Sequence, residues 1–308
     1  MARIVTLGSL NMDLVAVVPH LPLAGETLIG TDYLNEPGGK GANQAYAAAK
    51  LGGDVAMLGR VGTDDHGKRM VANLAAVGCD VTGVRIVDGP SGVAMIFVAQ
   101  SGQNCIAVIA GANQRYLSAD LRADDQALAT AQIVLLQLET PVQTVVEAAR
   151  MARRHGGRVI LDPAPAPRAF AAELLQYIDI LTPNETEAAQ LVGETPGVLS
   201  PEAARSIAKK LQAAGARAVI VKMGAQGCLL AEGDSAISIE APQVKAVDTT
   251  AAGDVFNGAL AVACSEGASL ADACRFAVRA AAISVTRLGA QRSMPGREEL
   301  APVALPPR

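Results

Sequence analysis

The stretch IVLLQLETPVQTVVEAARMARRHGGRVILDP, residues 133–163, holds one complete unit of the fold. Ile133–Leu138 is a short apolar run, Pro141–His155 reads as an amphipathic helix, and Arg158–Leu161 is apolar again. Apolar runs of this length read as strands buried on both faces, and a helix between two of them makes a parallel crossover. The alternation continues through the strand Ile178–Leu181, the helical stretches Asn184–Val192 and Pro201–Ala214, and the strand Ala218–Lys222. The expected fold is α/β, a doubly wound and mainly parallel sheet with helices on both faces. Ligands of such sheets sit beyond the carboxyl ends of the strands. The loops at Glu139-Thr-Pro, Asp162-Pro, Thr182-Pro-Asn-Glu and Met223-Gly should therefore line the ligand edge.

Two stretches break the alternation. Asp13–Tyr33 and Val93–Ala110 read as hairpin-like strand pairs, the second turning at Ser101-Gly102-Gln103-Asn104. They are expected to form a small sheet that projects from the core and covers the site as a lid. The 308 residues suit one large domain, 1–308, with this lid inserted from about 13–33 and 93–110.

Half the residues are hydrophobic and 18% are charged, the balance of a folded enzyme-like core. Trp is absent, Tyr and Phe number four each, and the net charge is −4, so neither base stacking nor a basic stripe supports nucleic-acid binding. The five cysteines (79, 105, 228, 264 and 274) are odd in number and never form Cys-x-x-Cys, as expected of free thiols in a reducing compartment. The start, Met-Ala-Arg-Ile-Val-Thr-Leu-Gly, enters a strand without signal-peptide architecture, and no apolar run reaches the ~18 residues of a membrane span. A cytoplasmic location without membrane association is expected, with a proline-rich tail, Pro302–Arg308, that frays.

The chemistry concentrates in Asp248-Thr-Thr-Ala-Ala-Gly253-Asp254-Val-Phe-Asn-Gly258. Small residues precede a helix start there, and the amides of such a start have no intrahelical acceptor and favour an anion, typically a phosphate. A carboxylate beside a phosphoryl group is repelled unless it takes a proton, so Asp254 reads as a general base, with helix capping as the plainer alternative. A second glycine-rich turn, Gly38-Gly39-Lys40-Gly41-Ala42-Asn43-Gln44, precedes an alanine-rich helix and supplies donors suited to hydroxyl groups. It has neither P-loop nor Gly-x-Gly-x-x-Gly spacing, and a tight strand-to-helix connection explains it nearly as well. Asn11 and Asp13, two apart after the first strand, offer a polyol pair or an ordinary strand exit. Asn184-Glu-Thr-Glu187 reads as a helix cap, or as a sparse site for hydrated Mg²⁺ or phosphate. Lys222-Met-Gly224-Ala-Gln-Gly227 is either a plain β-turn or support for a nucleotide. His20, His66 and His155 share no metal-ligand spacing, and no Ser or Cys stands in a nucleophile motif.

Taken in order, Gly8-Ser-Leu-Asn-Met-Asp13, Gly25-Glu-Thr27, Gly38–Gln44, Gly62-Thr-Asp64, Gly111-Ala-Asn113, Gln137-Leu-Glu139, Thr182–Glu187, Asp248–Asp254 and Gly289-Ala-Gln291 resemble the ribokinase/PfkB-type carbohydrate kinase family over essentially the whole chain. The first glycine turn looks more like the ribokinase branch than the fructokinase, adenosine kinase or phosphofructokinase branches. The resemblance implies ATP as phosphate donor, D-ribose as acceptor, phosphorylation at O5, and a homodimer joined through the lid sheets. It implies that Asn11, Asp13, Gly39, Lys40, Asn43 and Glu139 surround the sugar, with Asp254 as base. Backbone amides of Ala251, Ala252 and Gly253 would form the anion hole. Asn184 and Glu187 would organise Mg²⁺ through water, and Lys222, Met223, Gly224, Ala225, Gln226 and Gly227 would border the nucleotide, together with Gly253. A K⁺ site is implied at Asp248, Thr250, Ser284, Arg287, Gly289 and Ser293, mostly through carbonyls. Two departures stand out: Lys222 occupies a position often Thr in that branch, and Val278 one that is often polar.

The rival readings are a kinase for 2-deoxyribose or another small sugar, and a silent sugar-binding protein on a kinase fold. The second would have lost Asp254 or the Gly253 turn, and both are present. A nicotinamide dehydrogenase would need a dinucleotide glycine motif where Gly8-Ser-Leu-Asn stands.

Overall fold

The computed structural model describes residues 3–167 and 172–300, so the tail from Pro302 falls outside the described residues. Strand β1 (Arg3–Leu7) leads into β2 (Asn11–Val18) and β3 (Asp32–Gly38), then α1 (Lys40–Lys50), β4 (Asp54–Val61), α2 (Asp65–Ala76) and β5 (Asp80–Ile86). A hairpin of β6 (Gly92–Ala99) and β7 (Asn104–Ile109) follows, turning at the Ser101–Gly102 region as the sequence indicates. Next come α3 (Asp125–Thr130), β8 (Ile133–Leu136), α4 (Val142–Arg154), β9 (Arg158–Leu161), α5 (Ala172–Leu175), β10 (Ile180–Leu181), α6 (Glu185–Leu191), α7 (Pro201–Ala213) and β11 (Ala218–Lys222). The chain then adds β12 (Cys228–Glu232), β13 (Ser235–Ile239), α8 (Ala252–Ser265) and α9 (Leu270–Ser284).

The main sheet runs β13-β12-β11-β10-β9-β8-β1-β4-β5, parallel from β11 across to β5, with β12 and β13 antiparallel at one edge. Its strands bury both faces because alternate residues supply two cores. Ile4, Ile133, Leu135, Ile160 and Ile220 face the side covered by α1, α8 and α9. Val5, Leu7, Val134, Leu136, Val159 and Val219 face the side covered by α4 and α7. This is why the strands read as unbroken apolar runs. The expected strand 133–138 ends early, at Leu136, because Gln137 turns its fully buried amide onto Gln44.

The two stretches that break the alternation do build a separate sheet, in the order β3-β2-β6-β7. Two antiparallel hairpins, β2–β3 and β6–β7, meet through a parallel pairing of β2 with β6 that opens with Asn11 opposite Gly92. Apolar residues stay exposed on both faces of this sheet, Tyr33, Met95 and Ile109 on one and Ile106 and Val108 on the other, each about half accessible. Among the described residues no helix is long and apolar enough to cross a membrane.

Candidate active site

Helix α8 is apolar nearly all round, from Val255 to Ala263, because it is wedged between α1, α9 and the sheet. Its start is shaped by Ala251, held at φ 60°, a left-handed conformation that alanine seldom adopts. The Ala252 amide donates to the Thr249 carbonyl at 3.2 Å, and Val255 N–H donates to the Ala251 carbonyl at 2.9 Å. Among the described residues the amides of Ala251 and Gly253 have no such acceptor. Of the three amides expected to form an anion hole, Ala251 and Gly253 are free for a ligand, whereas Ala252 closes the turn that presents them.

Asp254 sits one residue further, only 6% exposed. Asn43 Nδ2 donates to its Oδ2 at 3.0 Å, and Gln44 Nε2 donates to its Oδ1 at 3.1 Å. Those amides are held in turn. Gln291 Nε2 donates to Asn43 Oδ1 at 3.0 Å, and Gln137 Nε2 donates to Gln44 Oε1 at 2.7 Å. Burial lifts the Asp254 carboxyl to about 6, helped by the Asp162 charge and opposed by Lys40, Asn43 and Gln44. A carboxylate poised there is suited to accept a proton near neutral pH. Asn43, expected at the sugar, here has both ends of its amide engaged, on Asp254 and Gln291.

Lys40 opens α1 immediately after Gly39, whose φ of 90° brings its backbone within a would-be Cβ distance of 2.6 Å from Asn11 N. Burial works against the charge on Lys40, but the charges of Asp254, Asp162, Glu139 and Glu187 outweigh it and raise its pKa. Glu139 Oε2 accepts from Ser9 Oγ at 2.5 Å, from Lys40 N at 3.2 Å and from Asn11 Nδ2 at 3.5 Å. Asn11 Oδ1 accepts from Asn113 Nδ2 at 2.8 Å. Burial, then Glu139, Asp254 and Glu36, push Asp13 up to about 7. Asn11, Asp13 and Glu139 thus present acceptors around a single cation, an arrangement that matches an uncharged ligand rich in hydroxyls.

A cleft of about 580 Å³ runs from Lys40 and Asp254 past Asn184, Glu187, Lys222, Gly224 and Gly227 to an apolar wall that includes Phe256 and Val278. That size accommodates a nucleotide. Asn11, Asp13, Gly39, Asn43 and Glu139 are not part of its lining, so the acceptor cluster lies outside this cleft. In the glycine-bracketed turn, Gly224, Ala225 and Gly227 face the cleft, but Met223 is 4% exposed and belongs to the core, and Gln226 is not in the lining. The Lys222 side chain leaves the turn and donates from Nζ to Asp162 Oδ1 at 3.0 Å.

Asn184 and Glu187 cap α6 reciprocally: Glu187 N–H donates to Asn184 Oδ1, and Asn184 N–H donates to Glu187 Oε2, both at 2.8 Å. Both still border the cleft, so the cap also places a carboxylate there. The loop before α8 is tied to the C-terminal segment. Asp248 Oδ1 accepts from Thr250, its Oδ2 accepts from Gly289 N–H at 2.9 Å, and the amides of Val247 and Asp248 both donate to the Val285 carbonyl. This joins Asp248, Thr250 and Gly289 and brings them beside the chain around Ser284. Arg287 pairs its guanidinium with Glu299, leaving its carbonyl as its donor atom for a cation, and Ser293 is buried nearby in sequence. Among the described residues no three His, Cys, Asp or Glu side chains gather as a metal cluster.

Ser9, Gln44, Asn113, Asp162 and Gln291 complete the constellation without having been singled out as site residues from the sequence. Each lies in or next to a motif quoted above, but its partner lies on a distant segment.

The family model described as pfkB family carbohydrate kinase matches residues 1–297. The chain is 42% identical over 294 residues to ribokinase from Haemophilus influenzae, covering 95% of each chain. It is 38% identical over 297 residues to deoxyribokinase from Salmonella typhi, covering 96% of each. The solved structure of Arabidopsis thaliana ribokinase complexed with ribose and ATP superposes with a TM-score of 0.90 at 36% identity, covering 97% of each chain.

Proposed function

The chain belongs to the pfkB family of carbohydrate kinases, and from that premise we propose that it transfers the γ-phosphoryl group of ATP to O5 of D-ribose. The observation that carries this reading is the position of Asp254, between a hydroxyl-accepting cluster and a nucleotide-sized cleft, beside free amides at a helix start. The acceptor hydroxyl loses its proton to Asp254 as its oxygen bonds to phosphorus. The bond from phosphorus to the β-phosphate oxygen breaks, and ADP leaves with that electron pair. The amides of Ala251 and Gly253 and the Lys40 ammonium face the charge on the transferred group. Asn113 and Ser9 hold Asn11 and Glu139 in place, which positions the sugar.

Two ions fit the donors present. Glu187 and Asn184 would hold Mg²⁺ through water, and so sparse a protein ligand set suits an ion carried chiefly by phosphates. Bound there, Mg²⁺ would neutralise phosphate charge. K⁺ would sit against carbonyls of the Asp248–Thr250 and Ser284–Ser293 segments and stiffen the loop that presents the free amides. Turnover should accordingly be higher in K⁺ than in Na⁺, and equal rates after stripping K⁺ would sink that assignment. The exposed apolar residues of the small sheet support a homodimer through the lid sheets, with the sheet acting as lid.

The test is ATP-dependent phosphorylation of D-ribose, 2-deoxyribose, D-fructose and adenosine, compared by kcat/KM with Mg²⁺ and K⁺ present. Preference for ribose is expected. The likeness to a deoxyribokinase favours 2-deoxyribose as the second reading; preference for it would keep Asp254 and overturn the reading of the acceptor cluster.

A further inference from the structure

We propose that Lys222 is a catalytic residue whose ammonium contacts the γ-phosphoryl group in transit, with Asp162 holding it there; this rests on the phosphoryl-transfer reading above. The stem of Lys222 is fixed at the end of β11, where its amide donates to the Pro183 carbonyl at 2.8 Å and its backbone bridges Asn184. From there the side chain runs along the cleft floor, 13% exposed, to Asp162, which is 3% exposed. The ammonium lies directly over the anion-binding turn: a Cβ built on Gly253 would stand 3.2 Å from Lys222 Nζ. Gly253 carries one of the two free amides, and Asp254 follows it. An ammonium has three donors, and among the described residues Asp162 accepts from one of them. Lys222 lines the cleft with Glu187 nearby, next to the free amide, where a phosphoryl oxygen would accept the other two.

Asp162 makes the placement specific. Its other oxygen accepts from Gln44 Nε2 at 3.0 Å, and the same nitrogen donates to Asp254. Lys222, Asp162, Gln44 and Asp254 therefore form one connected set, in which the phosphate-facing cation and the proton-accepting carboxylate are positioned by a shared amide. If neutralising Asp162 were the whole role of Lys222, nothing would require its ammonium to lie over Gly253. During transfer, charge gathers on the phosphoryl oxygens as the bond to ADP breaks, and a fixed cation at that place is worth most then.

The test compares Lys222→Met, Lys222→Arg and the double variant Asp162→Asn/Lys222→Met with the wild type. Lys222→Met should lower kcat ~100-fold, the range for losing one fixed donor to a developing charge, with ribose KM little changed. Lys222→Arg should recover most of that loss. The double variant removes both buried charges together and should stay at least ~30-fold down on the same ground. Full recovery in the double variant would overturn the proposal, because Lys222 would then serve only to neutralise Asp162. Calorimetry separates this from the assignment of function, since it needs no turnover. Lys222→Met should weaken β,γ-methylene ATP at least ~10-fold and ADP hardly at all, as the lost contact is to the γ group alone. Equal weakening of both would place Lys222 on the nucleotide instead. A wild type that phosphorylates none of the sugars would count against the assigned activity, and the two nucleotide affinities would still decide the role of Lys222.

Discussion

Asp254→Asn should lower kcat by at least ~100-fold while sugar binding is largely kept, the range expected for a positioned general base. Asn keeps the size of the side chain and one acceptor for Asn43 or Gln44, but it cannot take the proton. Near-wild-type turnover would remove Asp254 from the base role. The wild-type kcat/KM should also fall as the pH drops through about 6, where the buried carboxyl titrates, and the variant should lack that limb. Stability should respond in the opposite sense. The folded carboxyl binds its proton more tightly than the unfolded one, about 6 against an ordinary 3.8, so the folded state loses stability as pH rises from about 4 to 6. The shift corresponds to roughly 3 kcal/mol at order-of-magnitude level. Asp254→Asn removes that burden, so its Tm should equal or exceed the wild-type value at pH 8, with the advantage shrinking towards pH 4. A clearly lower Tm at pH 8 would mean that the hydrogen bonds from Asn43 and Gln44 outweigh the cost of burial.

Gly41→Ala should be damaging by a different route, packing. In an open helix this exchange stabilises by ~1 kcal/mol. Here the new Cβ would stand 2.6 Å from both Gly8 C and Ser9 N, and 2.7 Å from Gly8 Cα. All three are backbone atoms at the exit of β1, so no rotamer change relieves the clash. Either α1 or the exit loop must move, at a cost of about 1–3 kcal/mol. The loop carries Ser9, whose carbonyl accepts from Ala42 N–H at 2.9 Å and whose hydroxyl reaches Glu139. Displacing it disturbs the acceptor cluster before the nucleotide cleft. A Tm lowered by several degrees and a sugar KM raised at least ~10-fold are expected, with the nucleotide KM within ~3-fold. Wild-type values for both would show that the loop yields freely.

Local features were readable in the chain. The parallel sheet followed from apolar runs such as Arg158–Leu161, and the place of Asp254 in the first turn of α8 from the small residues before it. Pairings between distant segments were not. Asp162 and Lys222 lie sixty residues apart in sequence, and nothing around either points to the other. Gln44 and Gln291 looked like ordinary motif residues because a buried amide chain has no periodicity. The Ala252 amide was counted as a ligand donor because only coordinates reveal that Thr249 accepts it. Met223 sat in a glycine turn at the sheet edge, and only packing shows that its side chain points into the core.

The parallel pairing of β2 with β6 has a consequence for how the molecule assembles. Its first partners, Asn11 and Gly92, are separated by β3, α1, β4, α2 and β5, and in the main sheet the pairing of β1 with β8 joins Ile4 to Ile133 across a longer stretch still. Closing so long a loop costs more entropy than closing a local one, and such contacts form late. Asn11 and Asp13 ride on β2 and Glu139 follows β8, so the acceptor cluster is assembled only once both long-range pairings have closed. A nascent chain therefore cannot complete the cluster around Glu139 until the segment beyond residue 133 has joined β1.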